Sequence, residues 1–178
     1  AQAVGMLGRK AAQGAAALVR LLEDKYQAVQ LAAATSLGQI GSQATEVVPQ
    51  IIPLLSSNLA HTQDSAIKAL GAIGPSAHDA APALTSLMAD PTAGETAATS
   101  LVQMGASLGE HVPLLARHLK SDNRNLRLLT IRTLCEIGKY SETARNSLQE
   151  CLGDSDRTVV EAARQSLERI QRLTGASS

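Results

Sequence analysis

A five-residue signature that closes on glycine returns along the chain at nearly constant spacing, and it constrains the fold more than any other feature. One copy reads Leu37-Gly38-Gln39-Ile40-Gly41. The closing glycines lie 33, 33, 31 and 33 residues apart, at Gly8, Gly41, Gly74, Gly105 and Gly138. A second pattern keeps the same phase and places a small or aliphatic residue before proline, at Val48-Pro49, Ala81-Pro82 and Val112-Pro113. Periods of this length predict an open array of helix pairs, each burying its apolar face only against its neighbours.

The composition agrees with such an array and excludes several classes of protein. The chain has no Phe or Trp, so Ala, Leu, Ile and Val must fill its interior. Its 16 basic residues balance 16 acidic ones, which predicts no general affinity for nucleic acid or for a membrane surface. No apolar run approaches the ~20 residues that span a bilayer. Two cysteines are too few for a disulfide scaffold, so we expect a reduced, cytoplasmic location.

Each repeat divides into two predicted helices, A and B, and the glycine after helix B lets the chain reverse. In the first full repeat, helix A is predicted from about residue 11 to 22 and helix B from about residue 26 to 40. One face of each helix B carries an apolar stripe, which comprises Val29, Ala33, Leu37, Ile40, Thr62, Ala66, Leu70, Ile73, Ala93, Ala97, Leu101, Met104, Leu126, Thr130, Leu134, Ile137, Val159, Ala163, Leu167 and Ile170.

A single array is predicted over residues 1–178. It consists of the end of a truncated repeat at 1–9, repeats at 10–41, 42–74, 75–105, 106–138 and 139–173, and a tail at 174–178. The last helix B carries Arg164, Glu168, Arg169 and Arg172, which is typical of a capping repeat with a solvated outer face. Residues 3–8 lack such a polar cover. We therefore expect the chain to be the C-terminal part of a longer array and to fray or self-associate at its N-terminal end.

The repeats follow the pattern Asp…Val-Arg-x-x-Ala-Ala-x-Ala-Leu-Gly-x-Ile-Gly, with a later Val-Pro-x-Leu. The best matches run from Asp24 to Gly41 and from Leu126 to Gly138. This pattern resembles the HEAT family, in particular the short HEAT-like repeats of phycobilin lyase subunits, and the resemblance covers essentially the whole chain. It implies an all-α fold, a right-handed alpha-alpha superhelix of about five helix pairs with a partial leading helix.

The chain departs from this family pattern at two repeated polar positions. The arginine that follows the Val position remains only as Arg127, and the other repeats carry Gln30, Gln63, Gly94 and Val160. The loop aspartate remains only as Asp24 and Asp154. The sequence therefore predicts that most of the polar ladder between repeats is lost.

Two irregularities interrupt the period. The third repeat is two residues short near Asp90-Pro91, which predicts a bend or a change of twist in the stack. Pro53 lies one turn after Pro49 and removes a helical hydrogen bond, so helix A of the second repeat should be kinked. Both irregularities are equally well explained by tolerated drift between repeats.

Candidate chemistry is weak in this sequence. His118 and Cys151 occupy one column of the A helices, and a Cys/His pair can activate a thiolate. No acid lies at a spacing that would orient the histidine, so a hydrogen-bonded core histidine is the preferred interpretation. His61, His78 and His111 share no column, which argues against a metal site. The sequence predicts no catalytic, cofactor or metal site and no enzymatic activity.

The charge distribution is uneven along the chain. Residues 61–110 carry one basic and five acidic side chains, a net charge of 1 − 5 = −4, and residues 111–140 carry six basic and two acidic ones, a net charge of 6 − 2 = +4. Such a contrast could orient a bipolar partner, or it could belong to an ordinary solvated surface.

If the B helices line the concave side, as in HEAT proteins, their outward positions form the candidate binding surface. The predicted protein-binding residues are Leu31, Thr35, Gln39, Asp64, Lys68, Glu95, Thr99, Arg124, Leu128 and Arg132. Leu31 and Leu128 are the candidate apolar anchors, although they could instead pack on a neighbouring helix. We predict a scaffold that binds a protein or peptide. The alternative is a regulatory or substrate-holding arm of an enzyme, such as a bilin-lyase-like subunit.

Overall fold

The computed structural model describes residues 14–138 and 141–175, and every regular element within these two ranges is helical. The predictions for the leading helix at 1–9 and for the last tail residues lie outside the described residues. The α-helices are α1 (residues 14–21), α2 (Gln27–Ile40), α3 (Val48–Ile51), α4 (Ala60–Ile73), α5 (Ala81–Leu87), α6 (Gly94–Met104), α7 (Val112–Ala116), α8 (Arg124–Gly138), α9 (Glu142–Glu150) and α10 (Arg157–Gly175). The predicted all-α solenoid is confirmed.

The helices alternate along the chain as A and B helices of five pairs. The A helices are α1, α3, α5, α7 and α9, and three of them continue as short 3-10 helices, at Ile52–Ser56, Arg117–Lys120 and Cys151–Gly153. The B helices form one continuous layer, because α2 packs on α4, α4 on α6, α6 on α8, and α8 on α10. Each pair therefore buries its apolar stripe against the pairs before and after it.

The connections from helix B to helix A follow from the glycine and proline positions. Gly41, Gly74 and Gly105 each end a B helix with positive φ angles of 58°, 74° and 58°, which a side chain would disfavour. A seven-residue segment of 3-10 helix follows each glycine, at Gly41–Val47, Gly74–Ala80 and Gly105–His111. Proline then stands in the first turn of the next A helix, where its missing N–H has no helical acceptor. The last pair differs, because Ser141 caps α9 by accepting a hydrogen bond from the Ala144 amide at 3.3 Å.

The predicted apolar stripe of the B helices is the core of the stack. All of its members are buried except Val29, Ile40 and Leu167, which are partly buried. Small side chains let neighbouring B helices approach closely. A Cβ on Gly38 would lie 2.4 Å from the Ala72 Cβ, and a Cβ on Gly71 would lie 2.8 Å from the Ser100 Cβ. Ser100 also donates a 2.9 Å hydrogen bond to the Ile67 carbonyl across the same contact.

Where the loop aspartate is absent, another residue preserves the turn before helix B, and the loss of the polar ladder between repeats stays a prediction. In every repeat, the loop before helix B holds an oxygen that accepts a hydrogen bond from the amide two residues later. The acceptors are Asp24, Ser57, Asp90, Ser121 and Asp154, with N···O distances from 2.7 to 3.2 Å. A hydroxyl or a carboxylate can both close such a turn, and the serines therefore preserve the loop that a search for aspartate alone missed.

At two of the four departures, the second polar position keeps a local hydrogen bond through glutamine, whereas Gly94 and Val160 have no side chain that could form one. Gln30 donates to the Asp24 carbonyl at 2.6 Å, and Gln63 donates to the Leu55 carbonyl at 2.8 Å, as Arg127 does to the Ser121 carbonyl at 2.7 Å. Each long side chain reaches back to the loop of its own repeat. The amide therefore does locally what the arginine does, although it carries no charge to the next repeat.

The two irregularities have local explanations. The helix α3 ends at Ile51, and the chain continues as the 3-10 helix Ile52–Ser56, which contains Pro53. The kink of this A helix stays a prediction. The short third repeat turns tightly at Asp90, whose carboxylate accepts hydrogen bonds from the Thr92 hydroxyl and amide and from the Ala93 amide. These bonds, chiefly the one from the Thr92 hydroxyl, hold the Asp90 pKa below its ordinary value. The bend of the stack at this repeat stays a prediction.

Candidate functional site

The outward positions of the B helices lie at i, i+4 and i+8 on the side opposite the buried stripe. We call this surface the B-helix ridge. It consists of Leu31, Thr35, Gln39, Asp64, Lys68, Ala72, Glu95, Thr99, Gln103, Leu128, Arg132, Glu136, Glu161, Gln165 and Arg169. Because the B helices form one layer, these side chains run across the whole stack.

A groove in the described residues crosses three of these helices. It has a volume of about 480 Å³, and we call it the main groove. Its lining residues are Leu31, Ala34, Thr35, Lys68, Ala72, Glu95, Thr96, Thr99, Ser100 and Gln103. Half of the predicted binding residues therefore meet in one groove. The predicted set did not include the other five lining residues. Ala72 and Gln103 lie on the ridge itself, and Ala34, Thr96 and Ser100 lie on the flank between the ridge and the buried stripe.

Two smaller grooves continue along the ridge. One of about 250 Å³ lies between α6 and α8 and includes Thr99 and Arg132. The other, of about 240 Å³, lies between α8 and α10 and includes Leu128 and Arg132. The predicted residues Gln39, Asp64 and Arg124 line none of these three grooves.

The two candidate anchors have different environments. Leu31 is 51% exposed at the edge of the main groove. Leu128 is partly buried and packs against the core. Leu31 is therefore the side chain that offers apolar surface to a partner, and Leu128 offers less.

The charges of the B-helix ridge are largely paired with one another. Arg132 forms an ion pair with Glu95, and Arg169 forms one with Glu136 at 2.7 Å. Within α4, Lys68 contacts Asp64 at 2.5 Å. The partners of the two arginines come from the preceding repeat, so a charge count by segment overstates the contrast between the acidic and basic regions. Exposed pairs of this kind contribute only about 0–1 kcal/mol, so a binding partner can exchange them.

Arg124 lies away from the grooves, at the start of α8. It forms an ion pair with Asp156 at 3.1 Å and donates a 2.6 Å hydrogen bond to the Thr158 hydroxyl. Arg127 lies deeper in the same region, with its Nε 3.2 Å from an oxygen of Asp154. The Nε–H is not aligned on that oxygen, but the Nη2 of the same guanidinium donates a 3.5 Å hydrogen bond to the other Asp154 oxygen. Both arginines join the fourth repeat to the fifth.

The histidine and cysteine of the A-helix column have structural contacts. The His118 Nε2 lies 2.8 Å from the Thr85 carbonyl of the preceding repeat. The Cys151 thiol donates to the Ser147 carbonyl at 3.3 Å, within its own helical turn. Burial, with the nearby carboxylates of Asp154 and Glu150, raises the pKa of Cys151 to about 11. This thiol therefore stays protonated at neutral pH and is a poor nucleophile.

The described part of the chain contains no group of three or more His, Cys, Asp or Glu side chains placed to hold a metal ion. None of the helices in residues 14–138 and 141–175 is both long and apolar enough to cross a bilayer.

Comparison with known families agrees with the stacked helix pairs. A family model described as HEAT repeats matches residues 15–101 and 95–168, which together cover most of the chain. A search of curated proteins found no match.

Solved structures share the fold at low sequence identity. A chain from the complex of CpcE and CpcF of phycocyanin lyase from Nostoc sp. PCC7120 has a TM-score of 0.62 at 18% identity, over 86% of this chain and 98% of that chain. The archaeal HEAT-like repeats protein from Thermococcus onnurineus NA1 has a TM-score of 0.55 at 16% identity, with coverage of 90% and 71%. A computationally designed armadillo repeat protein for modular peptide recognition has a TM-score of 0.55 at 15% identity, with coverage of 85% and 80%. At these identities the likeness concerns the fold alone.

Proposed function

The chain belongs to the HEAT-repeat family, and from this premise we propose that its B-helix ridge is a concave surface that binds a protein or peptide partner, without catalysis in this segment. The observation that carries the proposal is the main groove, in which three successive B helices present Leu31, Lys68 and Glu95 together. An exposed apolar side chain beside charged groups is typical of an interface anchor with a polar surround.

The physical argument for binding rests on the open architecture. A stack of helix pairs buries its core between neighbours and leaves a long surface whose residues are free to vary. The designed armadillo neighbour was built for modular peptide recognition. A surface of the same architecture therefore suits an elongated ligand.

The direct test is capture of a partner by the full-length protein, followed by a comparison of variants. Leu31→Asp should weaken the complex at least tenfold and mainly raise the dissociation rate, because it removes the apolar anchor. Leu152→Asp is the matched control, since Leu152 is similarly exposed but lies in the 3-10 helix at the end of the last A helix. Equal binding by both variants would place the interface outside the B-helix ridge.

A second candidate function is a regulatory or substrate-holding arm of an enzyme. The matching phycocyanin lyase chain favours it, because the likeness extends over 98% of that chain. On this alternative, catalytic groups lie outside this segment or on a partner. Visible absorbance or a bound small molecule in the purified full-length protein would favour the arm, and a defined protein partner without either would favour the scaffold.

The cysteines and the composition bear on the location and the partners of the protein. The free, buried thiols of Cys135 and Cys151 suit a reducing, cytoplasmic location. The balanced net charge and the scarcity of aromatic residues do not favour nucleic acid as a partner. Self-association through the N-terminal repeat end stays a prediction, because residues 1–13 lie outside the described part of the chain.

A further inference from the structure

Three neighbouring B helices present three different chemistries in the main groove. Leu31 on α2 offers apolar surface, Lys68 on α4 offers a cation, and Glu95 on α6 offers an anion. The Lys68 side chain is 47% exposed and holds one ion pair, so its ammonium keeps donors for a ligand. The Glu95 side chain is 71% exposed, and its pair with Arg132 lies at the surface. From α2 to α6, the groove is therefore apolar, then cationic, then anionic.

The shape of the groove favours an extended ligand over a helical one. An amphipathic helix needs a continuous apolar stripe of anchors in its groove. In the main groove Leu31 is the one large apolar side chain, and Ala34 and Ala72 add only small surfaces. A single anchor with charged groups on the next two helices matches a strand-like segment that lies across the helix axes.

An extended segment also needs partners for its backbone. The Thr35 hydroxyl donates to the Leu31 carbonyl and the Thr99 hydroxyl to the Glu95 carbonyl, each at 2.9 Å. Both hydroxyl oxygens keep a lone pair that can accept a hydrogen bond. They lie on α2 and α6, at the two sides of the groove, and can accept from the amides of a ligand that crosses it.

We propose that the main groove binds an extended peptide segment of a partner protein that carries an aliphatic, a central acidic and a basic side chain. This inference rests on the proposed function of the B-helix ridge. The aliphatic side chain packs on Leu31, the acidic one pairs with Lys68, and the basic one pairs with Glu95 in exchange for Arg132. Packed helices lie 8–10 Å apart, which is about two to three extended residues, and a spacing of two residues places all three ligand side chains on one face of a strand. Either chain direction leaves the acidic residue central.

The test uses the full chain and a displayed library of random 12-residue peptides. We expect the enriched peptides to place the acidic residue between the aliphatic and the basic one. The double variant Lys68→Glu/Glu95→Lys should enrich peptides in which the basic residue is central. A synthetic peptide from the first selection should bind the double variant about tenfold more weakly by fluorescence anisotropy, since each exposed ion pair is worth about threefold in affinity.

Two sets of variants control for folding and for general charge effects. In the double variant a carboxylate replaces the Lys68 ammonium beside Asp64, so Lys68→Met and Glu95→Gln serve as milder single changes, each expected to weaken binding about threefold. Lys120→Glu/Glu110→Lys makes the same exchange at two exposed residues outside the groove and should leave binding unchanged. Urea unfolding midpoints establish that each variant is folded.

The outcomes separate this inference from the proposed function. Peptides whose binding is abolished by Leu31→Asp but which show no preference for a central acidic residue would overturn the inference and leave the proposed function standing. Peptides that bind regardless of Leu31→Asp would overturn both. A library from which nothing is enriched would also overturn the inference, because the groove would then lack affinity for extended peptides.

Discussion

The two halves of the B-helix layer hold their repeats together by different chemistry. Between α2, α4 and α6 the contacts are uncharged and close, with Gly38 against Ala72 and Gly71 against Ser100. Between α8 and the fifth repeat the contacts include three ion pairs, formed by Arg124 with Asp156 and Arg127 with Asp154 in the loop before α10, and by Glu136 with Arg169 on α10. The same repeat can therefore be joined to its neighbour by volume matching or by charge.

This difference explains why the main groove lies where it does. Small residues bring the N-terminal B helices together and leave Leu31 and Lys68 uninvolved in joining the repeats, whereas Glu95 at the edge of this half pairs with Arg132 of the next repeat. In the C-terminal half, ridge residues such as Glu136 and Arg169 are occupied with each other. The half that joins its repeats through small buried residues keeps its ridge available to a partner. If this comparison holds, the stability of the N-terminal half depends on side-chain volume and buried amides, and the stability of the C-terminal half depends on ion pairs.

The largest expected effect is at Gln30, which is fully buried between the first two repeats. Its amide donates to the Asp24 carbonyl and the Thr62 hydroxyl and accepts from the Ser65 hydroxyl. Gln30→Leu leaves these groups without their partner, which should lower the free energy of unfolding by about 2–4 kcal/mol. Urea unfolding measures the change.

Gln63→Leu is the matched control for that prediction. Gln63 is only partly buried, and its side-chain amide donates a hydrogen bond to the Leu55 carbonyl of its own repeat. Its loss should cost about 1 kcal/mol. Equal costs at the two positions would show that the bonds from Gln30 to the second repeat contribute nothing.

The next effect is expected at Arg127 in the C-terminal half. Its side chain and that of Asp154 are only 12% and 14% exposed, and its guanidinium also donates to the Ser121 carbonyl. Arg127→Met should cost about 2 kcal/mol, since it leaves a poorly solvated carboxylate without its partner. Arg124→Met removes a far more exposed pair and should cost less than about 1 kcal/mol. A cost at Arg124 as large as that at Arg127 would contradict the importance of burial here.

A smaller effect is expected at Gly38, where alanine should lower the stability although helix propensity alone predicts a gain. Alanine is the better helix former by about 1 kcal/mol, but its Cβ would meet the Ala72 Cβ at 2.4 Å. Overpacking costs about 1–3 kcal/mol, so Gly38→Ala should be destabilising by about 1 kcal/mol. Gly14→Ala should stabilise instead, because Gly14 is helical and exposed, and an added Cβ would meet no atom of the described residues within 4 Å.

The double variant Gly38→Ala/Ala72→Gly tests whether the contact with Ala72 causes the loss of stability at Gly38. Removing the opposing methyl should recover part of the lost stability, apart from the lower helix propensity of glycine. If thermal unfolding shows no recovery, the close contact between α2 and α4 does not determine the sign at Gly38.

Periodicity was sufficient to predict the fold, because the repeats carry the same features at the same spacing. These features are a glycine at the end of helix B, a proline in the first turn of helix A and a buried apolar stripe. The 33-residue phase placed α2 and α4 to within about one residue of their observed starts. The seven-residue 3-10 segments were not predicted, although the constant distance from Gly41 to Val48 and from Gly74 to Ala81 was a usable signal. Sequence patterns identify helix faces better than they identify the helix type of a short connection.

The candidate site was only partly accessible to sequence reasoning. Leu31 and Leu128 occupy equivalent positions, yet one is exposed and the other packs on the core. A single column of residues does not encode this difference. The ion pairs of Arg132 with Glu95 and of Arg169 with Glu136 likewise join different repeats. Counting charges along the chain could not predict that they neutralise each other.

The smallest expected effect is a pH dependence at the start of α10. Hydrogen bonding from the Thr158 amide, together with the Arg124 charge, holds the Asp156 pKa below its ordinary value of 3.8. A lowered pKa in the folded state means that Asp156 contributes stability above pH 3.8, and this contribution is lost as the pH falls through the folded-state pKa.

Asp156→Asn keeps an oxygen that can accept a hydrogen bond from the Thr158 amide, but this side chain does not titrate. The melting temperature of the variant should therefore fall less steeply on acidification below about pH 4. Asp122→Asn, at an exposed carboxylate in the preceding loop, should retain the acid response of the unaltered protein. The measurement is the melting temperature by circular dichroism from about pH 7 to about pH 2.5. If all three proteins lose the same melting temperature on acidification, the contact between α8 and the loop before α10 does not depend on ionised Asp156.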